Sequence, residues 1–159
     1  MTPQIYLAGR ALDGQSGHTA GRALLAALYD AHVGGSMPQV CILPGGKPCF
    51  SDSVWHFSIS HTKHHVFCAL ADRPVGLDAE EADRQIDLRL AESILSPGEK
   101  AQFDASEDQR KTLLTFWVLK EAEGKLTGKG VGFHPRHTDF QLPDDRVTEI
   151  DSCLVAVVY

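Results

Sequence analysis

The sequence predicts an α+β fold built as two similar halves, each a helix with a three-stranded antiparallel sheet. Three observations carry this. Leucine-rich helical spacing opens a first half at 18–32, a second and longer helical pattern spans 108–127, and each is followed by short β-like runs. A further β-like run at 75–80 joins the two. The duplication rests on element order, because no letter-by-letter repeat is visible. At 159 residues the chain suits one core, so a single compact domain over 1–159 is expected, with approximate halves 1–74 and 75–159.

The elements follow in order. Leu24, Leu25 and Leu28 give 18–32 its apolar stripe, and Gly34-Gly35 stops it. The runs 39–43, 55–60 and 65–71 read as strands separated by the Pro/Gly-rich stretch 44–48 and by 61–64. After the strand at 75–80, a charged segment leads to a leucine-rich helix over 87–95, and Ser96-Pro97 is a start signal for another short helix. The helix at 108–127 is closed by Gly128 and Gly130. Strands are expected at 138–142, 147–151 and 153–158.

Composition narrows the function classes. A formal charge of −6 argues against a chain whose main task is to coat nucleic acid. The first ten residues lack an export signal, and no apolar stretch is long enough to span a membrane, so a cytoplasmic, membrane-free chain is expected. Cys41, Cys49, Cys68 and Cys153 show no C-x-x-C spacing and read as free thiols in a reducing compartment.

Chemistry concentrates in a few strings. In 75–80, strand alternation sends Val75, Leu77 and Ala79 to one face and Gly76, Asp78 and Glu80 to the other. Two carboxylates side by side repel, and a hard divalent cation is their natural complement, although a solvated acidic strand end also explains D-x-E. Glu121 emerges from an otherwise apolar helical stripe with Lys125 one turn on, so it needs either that salt bridge or a metal. Ser60, His61 and Thr62 end a strand with side chains able to donate to phosphate oxygens. His61, His64 and His65 crowd the same turn, but no further ligand lies at a usual zinc spacing. Lys47 sits on a glycine-flanked turn that lacks the full Walker pattern. Arg10 and Arg22, read singly, are ordinary surface cations.

Taken together and in order, GGKP at 45–48, FSISHT at 57–62, VGLDAEE at 75–81 and FWVLKEAEGKLTGKG at 116–130 resemble the 4′-phosphopantetheinyl transferases. The resemblance covers roughly 18–142 and is to the surfactin-synthetase-activating type, because the G-x-D motif lies mid-chain rather than near the amino terminus. It implies a pseudodimeric 4′-phosphopantetheinyl transferase fold, two halves related by a pseudo-twofold, with coenzyme A in the cleft between them and Mg²⁺ at its pyrophosphate. By motif, Asp78, Glu80 and Glu121 look like the Mg²⁺ ligands. Lys47 with Pro48, Ser60 and His61 look like coenzyme contacts, and Arg22 and Arg10 look like the cations that hold its 3′-phosphate. Lys120 and Lys125 look like the helix lysines near the pyrophosphate, with Glu121 and Lys125 as the catalytic pair.

The implied reaction moves 4′-phosphopantetheine to a serine of an apo acyl or peptidyl carrier protein and releases 3′,5′-ADP. A monomer is expected, with the carrier docking among basic and apolar residues from Ile86 to Lys111, including Arg89, Lys100 and Arg110. The alternatives are a Mg²⁺-dependent phosphohydrolase or nuclease, which leaves FSISHT and GGKP unexplained, and a coenzyme A-binding module without turnover.

Overall fold

The computed structural model describes residues 2–128 and 134–159. Strand β1 (Ile5–Ala11) leads to helix α1 (Gly17–His32), the short strands β2 (Val40–Ile42) and β3 (Pro48–Phe50), and the hairpin β4 (His56–His61) and β5 (His65–Ala71). Then come β6 (Gly76–Glu81), a 3-10 turn at Leu88–Leu90, the helices α2 (Ala91–Ile94), α3 (Pro97–Ala105) and α4 (Gln109–Thr127), and the hairpin β7 (Val147–Ile150) and β8 (Cys153–Val158). No helix among the described residues is long and apolar enough to cross a membrane.

Two three-stranded antiparallel sheets form, in the orders β1-β5-β4 and β6-β8-β7. The two sheets share one connectivity, a first strand, then helix, then a hairpin whose last strand pairs with the first. The expected α+β class stands, but the element order is corrected at two points. The third strand of the first sheet is β1, absent from the sequence reading, while 39–43 forms a separate two-stranded hairpin with β3. The expected strand at 138–142 is extended chain outside any sheet. Its amides go to α3 side chains instead, Phe140 N–H to Glu99 Oε2 at 2.9 Å and Leu142 N–H to Gln102 Oε1 at 2.9 Å. The expected helix over 87–95 is reduced to the 3-10 turn and four residues of α2.

Alternation builds four layers. On β5, Val66, Cys68 and Leu70 pack against α1, while Phe67, Ala69 and Ala71 face the second sheet. Burial on both sides is why this strand reads as an unbroken apolar run. Leu77, Ala79 and Val155 complete the layer between the sheets, and Leu154, Ala156 and Val158 turn outward to Leu114, Val118 and Ala122 of α4. Ser16 caps α1, its Oγ accepting the Thr19 amide, and Gly128 in the left-handed region at φ 75° ends α4. Gly130, the second expected stop, lies outside the described residues.

Candidate functional site

The edges of the two sheets meet where β4 runs beside β6, and serine hydroxyls join them. Ser58 Oγ accepts the Leu77 amide at 3.0 Å, and Ser60 Oγ accepts the Ala79 amide at 3.1 Å. Both serines are buried, so each hydroxyl replaces a backbone acceptor that an ordinary ladder would supply. This seam fixes β6, whose apolar side chains enter the core while Asp78 and Glu80 face α4. Gly76 allows the approach: a β-carbon there would stand 2.0 Å from the Ala122 carbonyl oxygen.

An open cleft of about 490 Å³ lies over this junction. Asp78, Glu80 and Glu121 all line it, with Ser60, His61 and Lys125. Asp78 is buried, and its Oδ1 accepts Ser60 Oγ at 3.2 Å and Lys125 Nζ at 3.2 Å. Its Oδ2 is buried without a hydrogen-bond partner. Burial pushes this carboxyl up to about 7, with Glu80 and Glu121 adding to the shift and Lys125 opposing it. Glu121 is likewise raised, chiefly by burial and also by Glu80. Glu80 is held by Arg84 at 2.6 Å.

Three carboxylates thus share one cleft, two carry a raised affinity for protons, and one has an unsatisfied buried oxygen. That oxygen-only donor set suits a hard divalent cation. Their oxygens stand apart in this arrangement. Among the described residues, the group of His, Cys, Asp and Glu whose ligand atoms all lie within 4.8 Å is a different one, His65, Glu81 and Cys153. There Glu81 accepts Thr62 Oγ1 at 2.6 Å and the His64 amide at 3.2 Å, with His65 Nδ1 at 3.2 Å. Burial alone would raise Glu81, but these hydrogen bonds outweigh it and hold the carboxyl below its usual range. Glu81 is satisfied by its neighbours and clasps the two sheets together.

A smaller recess of about 250 Å³ adjoins the acidic cleft through Ile59, Glu121 and Lys125. Its far wall is the β2–β3 turn with Gly45, Gly46, Lys47 and Pro48. Lys47 Nζ lies 3.4 Å from the Leu126 carbonyl, a partner supplied by the electronegative end of α4. Burial lowers the affinity of this amine for its proton.

Other expected site residues sit elsewhere. Arg10 and Arg22 line neither recess. Arg10 is opposite Val66, which is opposite His61, so Arg10 and His61 share the α1 face of the first sheet. The Arg10 guanidinium reaches the Ala20 carbonyl at 3.4 Å, and the His61 ring lies where a β-carbon on Gly17 would be.

Lys120 corrects the sequence reading. It is fully buried on the opposite side of α4, paired with Glu99 at 2.6 Å and donating to Pro135 O at 2.7 Å and Thr138 Oγ1 at 2.6 Å. Its work is to hold α3 and the segment after α4 together.

Arg84, which pairs with Glu80, was missed because it lies in the irregular stretch after β6, where no helical or strand period relates it to Glu80. Cys153 was missed beside His65 because nothing in local spacing links β5 to β8. Among the basic residues named for docking, Arg89 pairs with Asp87, Lys100 with Glu92 and Asp104, Lys111 with Glu149, and Arg110 donates to Ala82 O and Arg84 O.

A family model described as the 4′-phosphopantetheinyl transferase superfamily matches residues 74–155, more than half of the chain and including β6, α4 and the three acids. The chain belongs to this superfamily. Among curated members, it is 40% identical over 103 residues to the 4′-phosphopantetheinyl transferase psf-1 of Bacillus pumilus, covering 63% of this chain and 44% of that protein. It is 38% identical over 88 residues to gsp of Aneurinibacillus migulanus, covering 54% and 36% respectively. Against HetI of a Nostoc strain the identity is 32% over 123 residues, covering 71% and 52%. The chain spans about half or less of the length of these superfamily relatives.

Proposed function

We propose that this chain transfers the 4′-phosphopantetheine arm of coenzyme A to a serine of an apo acyl or peptidyl carrier protein. One observation carries the reading: Asp78, buried with an unpartnered oxygen, shares a cleft with Glu80, Glu121 and Lys125 at the junction of two sheets. The halves 1–74 and 75–159 are then two sides of one domain, and the coenzyme lies along their seam. Family membership supports the same assignment.

Asp78, Glu80 and Glu121 would hold Mg²⁺, which supplies charge neutralisation at the pyrophosphate when bound. Asp78 would offer its unpartnered oxygen, and Glu80 would have to leave Arg84 to join it. The adjoining recess takes phosphate groups, with Lys47 as donor and Pro48 shaping the turn, while Ser60 lines the acidic cleft beside it with its hydroxyl on Asp78. His61 leads from the cleft toward Arg10 and the start of α1, and Arg10, with Arg22 from the second turn of that helix, would meet the 3′-phosphate.

The serine oxygen forms a bond to the phosphorus that carries pantetheine, and the pyrophosphate P–O bond breaks to release 3′,5′-ADP. Glu121, directly or through water, takes the serine proton, and its raised pKa makes it a stronger base than an ordinary carboxylate. Lys125 stabilises charge on the departing phosphate. Lys120 has no part in these steps.

Incubation with coenzyme A, Mg²⁺ and an apo-carrier, followed by intact mass, tests the reading. A carrier heavier by one phosphopantetheine, with the gain abolished by chelator, is expected. Glu121→Gln should slow transfer by about 10²–10⁴-fold. Full transfer by that variant would remove Glu121 as the base, and coenzyme binding without any transfer by the parent chain would reject the activity.

A further inference from the structure

Cys41 on β2 and Cys49 on β3 are register partners across the hairpin that carries Lys47. Their sulfurs stand 3.2 Å apart, and both residues are partly exposed. Directly opposed residues on antiparallel strands have Cα atoms about 4.5–5.5 Å apart, within the span of about 4.4–6.8 Å that a disulfide bridges. Reaching an S–S bond of about 2.05 Å asks for a small inward movement of two side chains and leaves the strand pairing intact.

The other two cysteines contrast with this pair. Cys68 is buried under α1, and Cys153 is buried beside Glu81 and His65. Burial pushes both thiols up to about 12, so neither holds much thiolate. Cys41 differs. Hydrogen bonds from Ser51 and Cys49 hold its thiol below the usual cysteine range. Thiolate character, exposure and an adjacent second thiol are what a resolving pair requires.

We propose that Cys41 and Cys49 form a modification site, a reversible cross-strand disulfide made by exchange with a small-molecule disulfide. The Cys41 thiolate attacks one sulfur of the small disulfide and expels the first small thiol, leaving a mixed disulfide on Cys41. Cys49, losing its proton, attacks the Cys41 sulfur and expels the second small thiol. Two protein thiols are oxidised with loss of two hydrogens, and one small disulfide is reduced to two thiols. The crosslink braces the turn whose Lys47 lines the smaller recess.

The test uses the full chain with excess oxidised glutathione, acid quenching, intact mass and peptide mapping. The expected product has lost two hydrogens, links the Cys41 and Cys49 peptides, leaves Cys68 and Cys153 open to alkylation after denaturation, and reverts with dithiothreitol. Cys41→Ser and Cys49→Ser, both on a surface hairpin, should each fail to lose two hydrogens, the latter stopping at one glutathione adduct. A stable adduct on the parent chain, a crosslink through Cys68 or Cys153, or no reaction would each overturn the proposal. None of these readings depends on carrier transfer, so a chain without that activity can still confirm the disulfide.

Discussion

Asp78 shows how much one buried carboxylate can report. Held near 7 in the fold against about 3.9 for a free aspartate, it favours the native state in its protonated form. Its contribution is complete below about pH 4 and is lost as pH rises through about 7. In chelator, Asp78→Asn should therefore gain stability relative to the parent as pH climbs from about 4 to 8, by a few kcal/mol at most. Denaturant titrations across that range check this, and a difference that stays flat with pH would remove the assignment. Lys120 makes the complementary case. Replacing it with Met strands Glu99 without its buried cation, and a loss of about 3–5 kcal/mol in unfolding free energy is expected from chemical denaturation. An unperturbed midpoint would mean that the pair is not a structural clasp.

Among the elements, β6 and α4 set the site together. Gly76 is the point of closest approach, so Gly76→Ala forces the strand and helix apart, because the clash is with backbone rather than a movable side chain. The expected cost is about 1–3 kcal/mol, read as a lowered denaturation midpoint. Glu121 and Lys125 ride on the displaced helix, so the same variant should also weaken divalent-cation binding; normal stability with normal binding would contradict this account. The seam between β4 and β6 shows why FSIS is written as it is. Phe57 enters the core, while the serines at 58 and 60 donate or accept across the sheet junction. A sequence reading saw Ser60 as a phosphate donor and had no means of seeing that its oxygen is already engaged by Ala79 and Asp78. The extended run at 138–142 was similarly opaque, because its hydrogen-bond partners lie on α3 rather than on a neighbouring strand.

For the whole molecule, four layers bring two acids of β6 and one of α4 around one cleft, and the repulsion among them should couple cation binding to stability. Mg²⁺ in large excess over its dissociation constant should raise the thermal midpoint, with a stabilisation of about 2.7 kcal/mol at a hundredfold excess. Asp78→Asn and Glu121→Gln should each blunt that shift, and chelator should reverse it. A thermal midpoint indifferent to Mg²⁺ at millimolar concentration would argue against the cation site independently of any transfer assay.

Periodicity alone determined the two principal helices, the alternation of β6 and the shared face of Asp78 and Glu80, because each depends on neighbours in the chain. Motif order alone indicated the superfamily. Which lysine faces the cleft, which cysteines face each other, and how the N-terminal strand enters the first sheet were decided only in three dimensions. Lys120 and Lys125 have the same chemistry and lie on one helix, yet the first meets buried Glu99 and the second meets Asp78. Partners of that kind come from other layers of the fold, and no local pattern of residues encodes them.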